Sequence, residues 1–296
     1  MKRYHDIVGD GGSRILEQVD EQRARIADNL VGVQRVLAVG SGKGGVGKST
    51  LTLNLAGALR ARGLRIGILD ADFNGPSQAR MAGVEGALFV PGSAKVGLPR
   101  TRNGIPVFSL GTVIPETQAL EFESAARGES HTWRATREFA LLSEILAAFE
   151  WGALDLLVID LPPGAERTVQ YADFFRPFDS DPARPRVSFL LVTIPSQVAR
   201  GVVARWVAAL SKSPTRVLGY VENMSGYYCR DCDAVKPLFV APEDADLGIP
   251  CLGTVPFDPE LARHCDLGLT FETLRAKAVG KALDRIATRL LEEIAQ

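Results

Sequence analysis

Most apolar positions fall into short, nearly unbroken runs, separated by stretches where they recur every three or four residues. "RVLAVGS" (35–41), "LRIGILDAD" (64–72), "LDLLVIDLPPG" (154–164), "VSFLLVTIPS" (187–196) and "TRVLGYVENM" (215–224) are runs of strand length, and "IPVFSLG" (105–111) and "CLGTVPFD" (251–258) are shorter ones. Between them, "STLTLNLAGALRARG" up to Gly63, "WRATREFALLSEILAAFEW" (133–151) and "QVARGVVARWVAALSK" (197–212) carry helical spacing. Strands buried on both faces read as continuous apolar runs, whereas half-solvated ones alternate. The pattern therefore predicts an α/β fold, a mostly parallel sheet with helices on both faces.

A mostly polar helix at 13–30 precedes this series, which suggests an N-terminal helical extension over 1–34 and one main domain over 35–296. Residues 81–132 have no steady period and many Gly and Pro, and read as long surface excursions, partly mobile without ligand. The C-terminal stretch places Leu274, Ala278, Ala282, Ile286, Leu290 and Ile294 on one stripe. Its polar face mixes both charge signs, unlike a basic lipid-surface helix, so the stripe is expected to pack on the sheet.

Ligands of parallel α/β sheets sit beyond the carboxyl ends of the strands. The residues suited to phosphate chemistry fall there. "GKGGVGKST" (42–50) follows the first strand and opens a helix, satisfying G-x-x-x-x-G-K-[ST] from Gly42 to Ser49. The backbone N–H groups of Gly42, Lys43, Gly44, Gly45, Val46, Gly47, Lys48, Ser49 and Thr50 are candidates to cradle phosphates, helped by the helix N-terminus. Lys48 would meet the β- and γ-phosphates of ATP, and Ser49 would offer its hydroxyl to Mg²⁺. Asp160 ends "LLVID", where a carboxylate holds Mg²⁺ through water. Asp70 and Asp72 bracket one residue at a strand end. Alternation sends both toward the phosphates, one for Mg²⁺ and one for an attacking water, and their repulsion calls for a nearby cation. The motif makes the fold a P-loop NTPase and the expected reaction Mg²⁺-dependent ATP hydrolysis.

Net charge changes the picture by exclusion. With 296 residues, 34 basic against 35 acidic, and no Lys/Arg run, the chain has no general attraction for nucleic acid or anionic membranes. Its longest apolar runs fall far short of the ~20 residues that cross a bilayer, and "MKRYHDIVGDGG" lacks the apolar centre of a secretory signal. A cytoplasmic protein is expected, and its four cysteines suit thiolate chemistry better than disulfides.

Cys229 and Cys232 form "CRDC", a C-x-x-C turn between an apolar strand and "VKPLFV". Two thiolates supply only half the ligands that Zn²⁺ or a [4Fe–4S] cluster takes. A metal bridged between two chains on a two-fold axis, a redox dithiol and a pair with no special role all fit. Cys251, in the short strand, reads as a small core residue; Cys265, at a helix end, is less easily set aside.

The second lysine in the loop, Lys43, gives "GKGGVGKST" its resemblance to the deviant-Walker P-loop ATPases, which include MinD, ParA and nitrogenase iron-protein relatives. "DADFNGPS" (70–77), "WGALDLLVIDLPPG" (151–164) and "VENMSGYYCRDC" (221–232) narrow the resemblance to the Mrp/ApbC branch of iron–sulfur cluster carrier ATPases. The resemblance implies a homodimer in which Lys43 crosses to the partner's phosphates. It implies that Asp72 positions the attacking water and that Asn223 reads the adenine edge. It further implies a [4Fe–4S] cluster bridged by Cys229 and Cys232 of both chains, with Zn²⁺ as the competing occupant, and apo iron–sulfur proteins as recipients. The alternative is a MinD/ParA-like spatial organiser acting at membrane or DNA, which has no need of a thiolate pair. Two stretches depart from the family pattern: Ala165-Glu166-Arg167 stands where Thr-Gly-Asp usually follows "DLPPG", and Trp133-Arg134-Ala135-Thr136 replaces a "WRGP"-like segment. The first departure suggests slow hydrolysis.

Overall fold

The computed structural model describes residues 15–92, 95–113, 131–179, 184–211, 215–229, 231–232, 234–238, 247–268 and 271–296. The elements run α1 (Ile15–Asn29), β1 (Arg35–Ser41), α2 (Lys48–Arg60), β2 (Ile66–Asp70), α3 (Gln78–Met81), β3 (Val90–Pro91), β4 (Val96–Gly97), β5 (Val107–Phe108), α4 (His131–Ala148), β6 (Phe149–Glu150) and β7 (Leu156–Asp160). They continue with α5 (Ala165–Asp179), β8 (Arg186–Thr193), α6 (Gln197–Leu210), β9 (Arg216–Cys229), β10 (Ala234–Pro237), β11 (Cys251–Phe257), α7 (Pro259–Asp266) and α8 (Ala278–Ala295).

The main sheet has the order β10-β9-β8-β1-β7-β2-β5, with β11 also pairing β9. All its pairs are parallel except the β9–β10 hairpin. The inner strands are buried along almost their whole length, as their continuous apolar runs require. One apolar core gathers Leu51 and Leu55 of α2 with Leu283, Ile286 and Leu290 of α8. The other gathers Ile26 of α1, Leu142 and Leu146 of α4, Phe175 of α5 and Trp206 of α6. The sheet thus lies between two helical layers.

Ala282, Ile286 and Leu290 of the C-terminal stripe are buried, while Leu274 is buried in the turn before α8. At about 1.5–3 kcal/mol for each fully buried large aliphatic side chain, this face is committed to the core. Among the described residues no helix is long and apolar enough to cross a membrane. Part of the irregular 81–132 stretch is ordered: β3, β4 and β6 form a small second sheet, and β5 extends the main one. Residues 114–130 lie outside the described residues.

Register positions the chemistry. Asp70 pairs with Asp160 across β2 and β7, and Val39 pairs with Asp160 across β1 and β7. The P-loop and all three carboxylates therefore share one edge of the sheet, its carboxyl end.

Candidate nucleotide and thiolate sites

The P-loop leaves β1 at Ser41 and enters α2 at Lys48. Gly47 has φ of 77°, a left-handed conformation, and a Cβ there would come within 2.3 Å of the Asn223 amide nitrogen. Only glycine meets both conditions. Ser41 Oγ donates to the Lys43 carbonyl, and the Gly164 N–H donates to the Ser41 carbonyl at 2.8 Å. The "DLPPG" turn is thereby fastened to the loop.

Lys48 is 6% exposed, and its ammonium donates to Asp160 Oδ1 at 2.5 Å. The Thr52 hydroxyl also donates to Oδ1, and Gln78 Nε2 donates to Oδ2 at 2.9 Å. Lys43 is exposed and makes no ion pair among the described residues. The two lysines of the loop thus differ in kind: one is sequestered within the chain, the other directed to its surroundings.

Asp70 is buried more deeply than alternation alone implies. Its carboxylate accepts from the N–H groups of Asp72, Ser77 and Gln78 and from the Ser109 hydroxyl. Desolvation, and next the charge of Asp160, push its pKa up to about 7 despite those donors and Lys48. Asp72 is half-buried, and burial raises its pKa while Lys48 opposes the rise. The cation that the Asp70–Asp72 pair required is thus Lys48, in direct contact with Asp160. Asp72 Oδ1 accepts from the Gly75 N–H, which curls the following loop back on the carboxylate.

At the Ala165-Glu166-Arg167 departure, Glu166 is exposed and Arg167 turns to α4, where it forms an ion pair with Glu138. Glu138 also accepts from Asn74 Nδ2 at 3.0 Å, so the pair reaches the Asp72 loop. Sequence reasoning missed Glu138 and Gln78. No motif contains Glu138, and Gln78 lies one residue beyond "DADFNGPS".

Asn223 is 6% exposed and donates from Nδ2 to the Val46 carbonyl at 2.8 Å, clamping the loop. Beside it a cleft is lined by Thr50, Met224, Pro256, Phe257 and Leu261, apolar walls suited to a flat base. Met224 has φ of 54°, a left-handed non-glycine residue, and the β9–β11 register shifts between Val255 and Phe257. Such a conformation costs about 1–3 kcal/mol and persists only where its surroundings impose it. Here it interrupts the extended backbone of β9 between Asn223 and the cysteines.

Cys229 ends β9, and Cys232 lies in the turn to β10, opposite-strand register placing Cys229 against Ala234. Cys232 is exposed and Cys229 half-exposed. Hydrogen bonding from Cys232 holds the Cys229 thiol below the usual range, and the same contact pushes Cys232 up. The two thiols of the pair are thus shifted in opposite directions by their mutual contact. The other cysteines reverse the sequence reading. Cys251, expected in the core, is exposed at the start of β11. Its neighbour in register is Tyr220, nine residues and ~30 Å of strand from Cys229. Cys265 is the core residue, 3% exposed in α7, where Asn54 Nδ2 contacts its sulfur at 3.5 Å. Among the described residues no cluster of three or more His, Cys, Asp or Glu could hold a metal within one chain.

A family model described as ParA, NUBPL iron-transfer P-loop NTPase, matches residues 32–291. The human cytosolic Fe-S cluster assembly factor NUBP2 is 36% identical over 273 residues, which cover 89% of this chain and 94% of the relative. The assembly factor CFD1 of Eremothecium gossypii is 36% identical over 242 residues, covering 78% and 80%. Among solved structures, the ADP complex of the nucleotide-binding protein from Archaeoglobus fulgidus superposes with a TM-score of 0.66 at 29% identity, covering 83% of this chain and 90% of that one. MinD of Pyrococcus furiosus, 19% identical with a TM-score of 0.58 over 88% and 99% of the two chains, shares the fold. Matched by this family model and by relatives over most of their length, the chain belongs to the NUBPL iron-transfer family of ParA-type P-loop NTPases.

Proposed function

We propose that the protein is an ATP-dependent iron–sulfur cluster carrier, which holds a [4Fe–4S] cluster as cargo between two copies of the chain and delivers it to apo iron–sulfur proteins in the cytosol. The observation that carries this reading is that β9 joins the two sites. Asn223 clamps the P-loop, and Cys229 ends the same strand six residues later, ~20 Å away. A change in the loop therefore has a continuous backbone path to the thiolates.

In this reading the loop amides and Lys48 hold the phosphates, and Lys48 leaves Asp160 to do so. The residues present fit Mg²⁺: Ser49 and Asp160 lie on either side of Lys48, and a fully buried amide oxygen beside them, Gln78 Oε1, has no donor among the described residues. Ser49, Asp160 and Asp70 would hold Mg²⁺, which would supply positive charge against that developing on the phosphates. Asp72, with its raised pKa and partial exposure, orients the attacking water. Lys43 reaches the partner chain's nucleotide, coupling ATP binding to dimer formation. Cys229 and Cys232 of each chain supply two of the four thiolates the cargo requires, and Zn²⁺ competes for the same set.

The test is transfer. The protein reconstituted anaerobically with iron and sulfide is mixed with an apo [4Fe–4S] enzyme, with and without ATP. Recovery of the acceptor's activity, faster than from free iron and sulfide and altered by ATP, is expected. Recovery no faster than from the free ions contradicts the carrier reading.

A further inference from the structure

Buried polar atoms in folded proteins are almost always hydrogen-bonded. Gln78, the first residue of α3, is 0% exposed. Its Nε2 donates to the Ser49 carbonyl at 3.0 Å and to Asp160 Oδ2 at 2.9 Å. Two acceptors fix the orientation of the amide, since reversing it would set oxygen against two oxygens. Oε1 is left fully buried with no donor among the described residues. The oxygen and nitrogen of an amide are ~2.3 Å apart. Oε1 therefore lies within about 5 Å of the Asp160 carboxylate.

The residues that Gln78 joins, Ser49 and Asp160, are two of those assigned above to Mg²⁺, so this inference rests on that reading. A water in a metal's coordination shell is a strong donor, and partners just outside a metal's ligands tune how tightly it is held. We propose that Gln78 is a positioning residue for the metal. Its Nε2 locks Asp160 and the Ser49 backbone in one register, and its Oε1 accepts a hydrogen bond from metal-bound water. The division of the carboxylate supports this: Lys48 and Thr52 hold Oδ1, while among the described side chains Gln78 alone holds Oδ2. When Lys48 turns to phosphate, Gln78 and Thr52 keep Asp160 aimed.

The experiment uses the full chain with Gln78→Leu and Gln78→Met, the latter close in shape so that packing is retained, each checked by its melting temperature. A fluorescent ATP analogue is titrated in EDTA and then in graded Mg²⁺. The expected result is affinity in EDTA within about 2-fold of the parent, with the Mg²⁺ concentration for half-effect raised about 10–100-fold. Mn²⁺ in place of Mg²⁺, followed by electron paramagnetic resonance, should show the same weakening directly. An unchanged Mg²⁺ half-effect overturns the proposal. So does an equal loss of affinity with and without metal, which would make Gln78 a support for the loop alone. Failure of the parent itself to bind the analogue would instead sink the nucleotide reading, and this inference with it.

Discussion

Arg167→Ala removes the cation from a mostly buried ion pair. The side chains of Arg167 and Glu138 are 23% and 10% exposed. The Arg167 guanidinium also donates to Gln170 at 2.7 Å and lies 5.9 Å from the centre of the Phe139 ring. Breaking a buried pair from one side costs about 3–5 kcal/mol, because the remaining charge is stranded. Partial exposure of Arg167 screens that charge, which reduces the expected loss to about 2–3 kcal/mol. For a protein of this size that lowers the melting temperature by roughly 3–5 °C. Arg167→Asp should cost more, since it sets a second carboxylate beside Glu138. The Thr-Gly-Asp replacement at 165–167, which the family pattern suggests would quicken turnover, should therefore destabilise the protein and loosen Asn74 unless Glu138 is changed with it. Circular dichroism melts of the parent, Arg167→Ala, Arg167→Asp, Glu138→Lys and the charge-swapped Arg167→Asp/Glu138→Lys double variant form the test, with the double variant expected to recover at least half of the loss. A shift under about 1.5 °C in Arg167→Ala, corresponding to less than about 1 kcal/mol, or no recovery in the double variant, refutes the reasoning.

Lys48→Ala should abolish nucleotide binding measured by calorimetry, whereas Lys43→Ala should leave weakened binding but remove nucleotide-dependent dimerisation and hydrolysis; equal loss in both contradicts the division of labour. Asp72→Asn should slow phosphate release by roughly 10²–10⁴-fold with ATP affinity little changed. Asp70 titrates near 7 folded and near 3.8 unfolded. Its protonated form is the one the fold favours, so its contribution to stability is full below about pH 4 and declines as pH rises to about 7. Denaturant melts of Asp70→Asn should lose that decline relative to the parent, and an unchanged pH profile contradicts it.

The sheet was legible because continuous apolar runs have few alternatives to strands buried on both faces, and "GKGGVGKST" had to lie where β1 ends. The cysteines show where such reading stops. Cys251 sits in an apolar strand, yet β11 lies beside β9 with that residue's face open, which only the pairing partner decides. Cys265 lies in a polar-looking "RHCDLG", but α7 turns that one position under Asn54. Glu138 and Arg167 are 29 positions apart, and Gln78 and Asp160 82 apart; neither contact leaves a local signal. The left-handed backbone at Met224 was equally invisible, since nothing in "VENMSG" demands a positive φ.

The central claim is that the cargo is held by two chains, each giving two thiolates. Iron and acid-labile sulfide should be measured on the anaerobically reconstituted protein, with its mass determined in the same sample across a dilution series. Four irons and four sulfides per two chains are expected, lost as the dimer separates, absent in Cys229→Ser and Cys232→Ser, and retained in Cys251→Ser and Cys265→Ser. Four irons on a strictly monomeric chain, or loss of the cluster in the Cys265 variant, would contradict the account.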